Sequence, residues 1–211
     1  MQVDHIFIFS RSQGQEADEL VDFGFSEGSS RVHPGQGTVN RKFYFENFFL
    51  EILWVENEEE ARSERTGVTG LWERSVFYKN DHSPFGLCLV NTPETDLLFA
   101  GSQQYQPEYF PEGLTIDFIN NTEAPQNPWL FRLPFKGPKK ATEEPTDHQP
   151  TLRNLTKTVF SMPDSAAFGK LIGEGPIAVA ESEAQHLKLE FDHGVQGNEH
   201  HFDSLSLSIV W

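Results

Sequence analysis

Cysteine is almost absent from this 211-residue chain: Cys88 stands alone, which excludes an internal disulfide and any paired-cysteine metal site. Its setting in Phe85-Gly86-Leu87-Cys88-Leu89-Val90, with no base or cation beside it, reads as core packing and not as a reactive thiol. Basic residues are scarce too. Sixteen Lys and Arg face 32 Asp and Glu, a formal net charge of −16 spread along the chain. A surface of that sign repels phosphate backbones and anionic lipid, which argues against nucleic acid or membrane as partner. Long apolar runs are missing: Phe48 to Val55 is too short to span a bilayer and carries Glu51. No basic segment precedes the first apolar stretch at Val3, so no secretory signal is visible and a cytoplasmic protein is expected. P-loop, dinucleotide-binding and HExxH patterns do not occur.

What the chain does hold is a glycine turn coupled to aromatic strands. His33-Pro34-Gly35-Gln36-Gly37-Thr38-Val39-Asn40-Arg41 runs into the hairpin Lys42 to Val55. Pro34-Gly35 fits the centre of a type II turn, where proline presets φ and glycine accepts φ > 0. Glu46-Asn47 divides two runs rich in Phe and Tyr, as a hairpin connection does. Glu51 is left as a single carboxylate in an apolar strand, and such a group needs a partner or has a chemical role.

Val3 to Phe9 reads as a strand, with His5 on the same side as Val3, Phe7 and Phe9 if alternation holds. Gln15 to Phe23 reads as a helix with Ala17, Leu20 and Val21 inward and Gly24 as its stop. Strands over Ser29 to His33, Thr38 to Glu46 and Phe48 to Val55 complete a β-α-β-β-β series over residues 1–55. The same order returns in 155–211: a strand over Leu155 to Met162, a helix capped by Asp164 with Ala167, Phe168, Leu171 and Ile172 inward, then Pro176 to Ala180, His186 to Asp192 and Ser204 to Trp211. Residues 56–154 read as an insertion. It contains a solvated helix over Glu56 to Arg65, extra strands at Phe85 to Val90, Leu114 to Ile119 and Trp129 to Leu133, and a mobile linker near 136–150. The fold class is α+β: two βαβββ modules forming half-open mixed β-sheet barrels.

His5 and Glu51 are the candidate catalytic residues and the candidate metal ligands. Imidazole with carboxylate suits a divalent metal such as Zn, Mn, Fe or Ni, which His33, His82 or a bound substrate would complete. The alternative is that Glu51 bonds His5 or Arg41 and only satisfies polar atoms. Asn40 and Arg41 pair an amide with a guanidinium, a combination suited to carboxylates, unless Arg41 meets a surface acid instead. Trp72 with Arg74 could clamp an anion, and Trp54 and His33 could line a small-molecule cavity, although aromatics at strand spacing also serve as core. His193, His200 and His201 lie near a glycine-rich turn. The last two, being adjacent, point to opposite sides of a strand and would not share an ion.

Paired β-α-β-β-β modules resemble the vicinal oxygen chelate superfamily, which includes glyoxalase I, extradiol dioxygenases and bleomycin-resistance proteins. Val3-Asp4-His5-Ile6, the His33 to Arg41 motif, Phe49 to Val55, Leu71-Trp72-Glu73-Arg74-Ser75 and Ser83-Pro84-Phe85-Gly86 are similar to one bacterial, glyoxalase-like branch. The likeness covers about the first ninety residues and is architectural thereafter. It implies a small-molecule ligand or metal on concave sheet faces, lyase, isomerase or dioxygenase chemistry or else plain sequestration, and a homodimer as a plausible assembly. An interaction scaffold with a vestigial pocket is the reading from another class. In metal-using members the ligands come from the first and last strand of each module. His5 and Glu51 match these positions in the first module. In the second, Thr156, Lys157, Thr158, Ser206 and Ser208 offer no good divalent-cation ligand.

Overall fold

The computed structural model describes residues 1–137 and 143–211, so residues 138–142 of the expected linker lie outside the described residues. In chain order the elements are β1 (Val3–Phe9), α1 (Ala17–Phe23), β2 (Arg31–His33), β3 (Thr38–Tyr44), β4 (Phe49–Val55), α2 (Glu58–Ala61), α3 (Glu64–Gly67) and α4 (Leu71–Ser75). There follow β5 (Phe85–Asn91), α5 (Pro93–Asp96), β6 (Gln103–Tyr105), β7 (Ile116–Phe118) and β8 (Trp129–Lys136). The last stretch holds β9 (Leu155–Met162), α6 (Ala166–Ile172), β10 (Ile177–Glu181), β11 (His186–Phe191), β12 (Glu199–Phe202) and β13 (Leu207–Val210).

Two mixed sheets result. One has eight strands in the order β2-β3-β4-β1-β5-β8-β7-β6 and curls into a half-barrel; the other has five, β10-β9-β11-β13-β12. In the larger sheet β1 and β5 form a central antiparallel pair, and each has a parallel partner outside it, β4 for β1 and β8 for β5. Residues 56–154, read above as an insertion, therefore supply four strands to the sheet that residues 1–55 begin. Two of the elements that complete this second β-α-β-β-β series, α5 with four residues and β6 with three, are too short to show any periodicity in sequence. The helix expected over 56–65 splits into α2 and α3 because Ser63 caps a new turn, its hydroxyl accepting from Thr66 N at 3.3 Å.

Alternation decides what each face touches. Ile6 and Ile8 of β1, Leu50 and Ile52 of β4, and Leu87 and Leu89 of β5 join Phe160, Leu187, Leu189, Leu207 and Ile209 of the smaller sheet in one buried cluster. The five-stranded sheet thus packs on the convex side of the half-barrel, with Phe85 meeting Phe160 at 6.0 Å and Phe48 meeting Phe191 at 5.8 Å. Each such side chain contributes roughly 1.5–3 kcal/mol through burial. The concave side carries a separate cluster that includes Phe7, Phe9, Leu53, Trp129 and Phe131.

Within the stretch expected to be mobile, residues near 148 are pinned to the first sheet. His148 Nδ1 accepts from Ser26 N at 3.0 Å, its Nε2 lies 2.7 Å from Tyr44 O, and its ring packs on Phe45 at 4.4 Å. One histidine with backbone partners achieves what a prolyl, charged composition does not reveal. No helix among the described residues is long and apolar enough to cross a membrane.

Candidate functional site

The site begins with an irregularity in β1. His5 pairs with Cys88, Ile6 with Leu87 and Phe7 with Gly86, yet Val3 pairs with Leu89, so β1 accommodates one extra residue at Asp4. A bulge breaks strict alternation and re-aims the side chains beside it. Val3 consequently joins the core between the sheets, whereas His5 and Phe7 line a cavity on the concave face. The common side expected for Val3, His5, Phe7 and Phe9 is divided at this point.

Asp4 Oδ1 lies 2.6 Å from His5 Nδ1, with the two side chains only 10% and 8% exposed. This contact places the Nδ1 proton toward the carboxylate and turns Nε2 to the cavity, 3.9 Å from Glu51 Oε2. Phe49 stacks on the imidazole at 4.4 Å and Phe131 meets it edge-on at 5.3 Å, so the plane of the ring is fixed. On β4, alternation sends Phe49, Glu51 and Leu53 to the cavity and Leu50 and Ile52 to the core. Glu51 Oε1 accepts from Asn40 Nδ2 at 2.5 Å, while Asn40 Oδ1 accepts from Arg31 N at 2.8 Å. The amide is thereby fixed and so is the carboxylate.

The cavity, about 130 Å³, has room for a small organic molecule in place of several waters. His33 lines it, with Nδ1 2.9 Å from Thr38 Oγ1; burial pushes its pKa below the ordinary value, against the opposing pull of Glu51. Arg31 and Lys42 bring positive charge to the wall, over the rings of Tyr109 and Tyr44 at 4.9 and 5.4 Å. The Tyr109 hydroxyl donates to Gln36 Oε1 at 2.9 Å, and burial first, then Tyr105 and Glu51, raises its pKa so that it stays protonated. The opposite wall, from β7 and β8, is Ile116, Trp129, Phe131 and Leu133. Trp129 Nε1 is buried there with no hydrogen-bond partner among the described residues.

Two donor sets concern a metal. Asp4, His5 and Cys88 offer ligand atoms that all lie within 4.8 Å of one another and could hold an ion. In the cavity, His5 Nε2 and Glu51 Oε2 lie 3.9 Å apart, and His33 lines the same hollow without joining them in a set of three donors within 4.8 Å among the described residues. Catalytic sites ordinarily have three protein ligands and an open position, and β8 presents indole and phenyl rings where a third donor would be needed. The cavity residues thus fit an ion in part.

The structure gathers His5, His33, Asn40 and Glu51 around one hollow and places the remaining candidates elsewhere. Arg41, next to Asn40 on β3, points to the opposite face and forms ion pairs with Glu27 at 2.6 Å and Asp18 at 2.7 Å, which raise its pKa. Trp54 also alternates away from Glu51: its ring packs on Gly14, where an added Cβ would come within 2.5 Å. Trp72 lies under the Arg62 guanidinium at 5.3 Å. Arg74 is 1% exposed and donates through Nη1 to Ser83 O and Asn127 O; desolvation brings its pKa to about 9, which leaves it charged at neutral pH. His82 bonds Asn80 and is no part of the cavity lining. Thr156, Lys157 and Thr158 line a different crevice, between β9 and the start of β1.

Sequence reasoning missed Asp4, Arg31, Lys42, Tyr109 and Trp129. Lys42 could have been found from Asn40 by strict alternation on β3, and Asp4 from its place beside His5; nothing local marks the other three. Gly24-Phe25-Ser26-Glu27-Gly28 has the GxSxG spacing but joins a helix to a strand, and the Ser26 hydroxyl donates to Asp147 O, so it is no nucleophile elbow.

Residues 3–89 match the family described as a glyoxalase-like domain. This segment is a glyoxalase-like domain of the vicinal oxygen chelate superfamily. The glyoxalase-like domain holds β1 to β4, most of β5 and every polar residue named above on the Asp4, His5 and Glu51 side of the cavity. No curated protein matches the chain. Among solved structures, a hypothetical protein from Staphylococcus aureus superposes with a TM-score of 0.57 at 11% identity, over 99% of this chain and 98% of that one. What is shared is the fold, five-stranded sheet included. A hypothetical protein from Bacillus halodurans C-125 has a TM-score of 0.41 at 14% identity over 67% of this chain and 98% of its own. A xylose isomerase-like TIM barrel/4-hydroxyphenylpyruvate dioxygenase fusion protein has 0.46 at 11% identity, over 90% of this chain and 36% of its own.

Proposed function

We propose that the protein binds a small carbonyl compound, carrying a carboxylate or aromatic group, in the concave cavity and moves a proton at the carbon next to the carbonyl. The observation that supports this is the pair His5 and Glu51, each held by its own polar partner, Asp4 and Asn40, and set 3.9 Å apart at the cavity wall. Glu51 Oε2 accepts the proton from the α-carbon, and the electron pair left behind moves onto the carbonyl oxygen. His5, carrying a proton on Nε2, donates a hydrogen bond to that oxygen while the Asp4 carboxylate supports the imidazolium. Arg31 and Lys42 attract a carboxylate, and Trp129, Phe131 and Ile116 exclude water from the reacting carbon. A divalent ion, if held by His5 Nε2 and Glu51, would replace that Nε2 proton and polarise the substrate oxygen in its stead.

A panel of small oxo-acids and aromatic carbonyl compounds, screened by thermal shift, tests the binding step. A ligand stabilises the folded state by RT ln(1 + [L]/Kd), and His5→Ala should abolish the shift. Exchange of the α-proton for deuterium, followed by NMR, tests the chemistry: the native protein should catalyse it and Glu51→Gln should not. Absence of any shift across the panel overturns the binding proposal. A second reading, sequestration without turnover, is favoured by the aromatic and aliphatic wall from β7 and β8, and it predicts a thermal shift with no exchange.

A further inference from the structure

A second set of donor atoms lies on the outer face of the five-stranded sheet, away from the cavity. There β13 runs between β11 and the edge strand β12. Leu187, Leu189, Leu207 and Ile209 enter the core, so alternation turns His186, Lys188 and Ser208 outward. On β12, His201 pairs with Ser208 and joins them, while His200 turns the other way and stacks on Phe23 at 4.4 Å. His186 Nε2 reaches Ser208 Oγ at 2.6 Å from one side and His201 Nδ1 reaches it at 2.7 Å from the other. One hydroxyl carries one proton and donates to at most one imidazole, so at least one of these two nitrogens holds a proton, which an ion binding at neutral pH displaces.

We propose that His186 and His201 form a binding site for a borderline transition-metal ion, zinc, nickel or copper(II), at the point where their rings converge over Ser208. Imidazole nitrogen is the preferred protein donor for these ions, and both rings are already aimed at one spot. Ser208 itself is 2% exposed, whereas the His201 side chain is 59% exposed and His186 is half-buried, so the site opens to solvent on the His201 side. Glu199 Oε1 lies 4.0 Å from His201 Nε2 and is held by Lys188 Nζ at 3.0 Å. A carboxylate behind Nε2 favours the tautomer that leaves Nδ1 free for an ion. An ion here clasps the edge strand β12 to β11 across β13; water completes its coordination.

Zinc is the probe, and the His5→Ala/Glu51→Gln protein removes the cavity donors from the measurement. Calorimetric titration at neutral pH should find one zinc equivalent in that background. The equivalent should be lost on adding His186→Ala or His201→Ala and kept on adding His200→Ala or His193→Ala. NMR of the unaltered chain reads the same site without any substitution: zinc should shift the ring resonances of His186 and His201 together. An equivalent that survives both His186→Ala and His201→Ala, or ring signals that stay in place as zinc is added, overturns the proposal.

Discussion

On β1, β3 and β4 the cavity positions include the polar His5, Asn40, Lys42 and Glu51 beside Phe7, Phe49 and Leu53; on β7 and β8 they are Ile116, Trp129, Phe131 and Leu133. Both sets stand on the same arrangement of a central strand and its parallel neighbour, so topology does not dictate the difference. Half of the barrel holds proton donors and acceptors in place, and the other half shapes and dries the space in front of them. A half-barrel with donors on one side has one close-set ligand pair for an ion, His5 with Glu51, and a wall well suited to an apolar or aromatic group. Asp4 deepens the contrast, since a single extra residue in β1 gives His5 a carboxylate behind it.

Substitution in the apolar half should act on stability. Phe131→Ala, at a side chain 4% exposed and packed against His5, Phe7 and Trp129, should cost roughly 3–5 kcal/mol in urea unfolding. Glu51→Gln, on the polar half, keeps an oxygen for Asn40 and should leave the unfolding midpoint close to that of the native chain while ending the α-proton exchange. Equal losses of stability from both changes would erase the division of labour. Gly86→Ala probes the seam between the halves: its Cβ would fall 2.1 Å from the Phe7 ring, and the overpacking should cost about 1–3 kcal/mol.

Acid should loosen the attachment of residues near 148 to the first half. His148 is buried, its pKa lies below the ordinary 6.5, and its Nδ1 must stay bare to accept from Ser26 N. The unfolded chain therefore binds the proton first, so stability is full above about pH 6.5 and falls as pH drops toward the folded-state pKa. His33 adds to the slope with the same sign. Unfolding measured across this range should flatten in His148→Gln; an unchanged slope would remove His148 from the account. The smallest effect belongs to Arg41→Gln, which breaks ion pairs on the convex face and should cost about 1 kcal/mol or less, with ligand binding intact.

Much of the architecture was legible locally. Alternating Leu187, Leu189 and Phe191, the Gly24 stop of α1 and the hairpin of β3 and β4 carry their own signals, and each element stands where pattern places it. His5 and Glu51 were legible as a pair because a polar residue in an apolar strand is conspicuous. Arg41 and Trp54 were misplaced by reading proximity in sequence as proximity in space, although strict alternation already separates them from Asn40 and Glu51. The joining of β5 to β8 onto β1 to β4 left no local trace, because a four-residue helix and a three-residue strand give no period to detect.

By itself the sequence determined most of the longer strands, the faces they bury and the residue types able to do chemistry, since these follow from short-range periodicity and side-chain character; the short β6 and β12 escaped it. Only the tertiary structure decided that β1 lies between β4 and β5, that the bulge at Asp4 turns His5 toward Glu51, and that rings from β8 close the cavity. Pairing between strands many residues apart is settled by packing and register, which are properties of the assembled sheet and of no single segment.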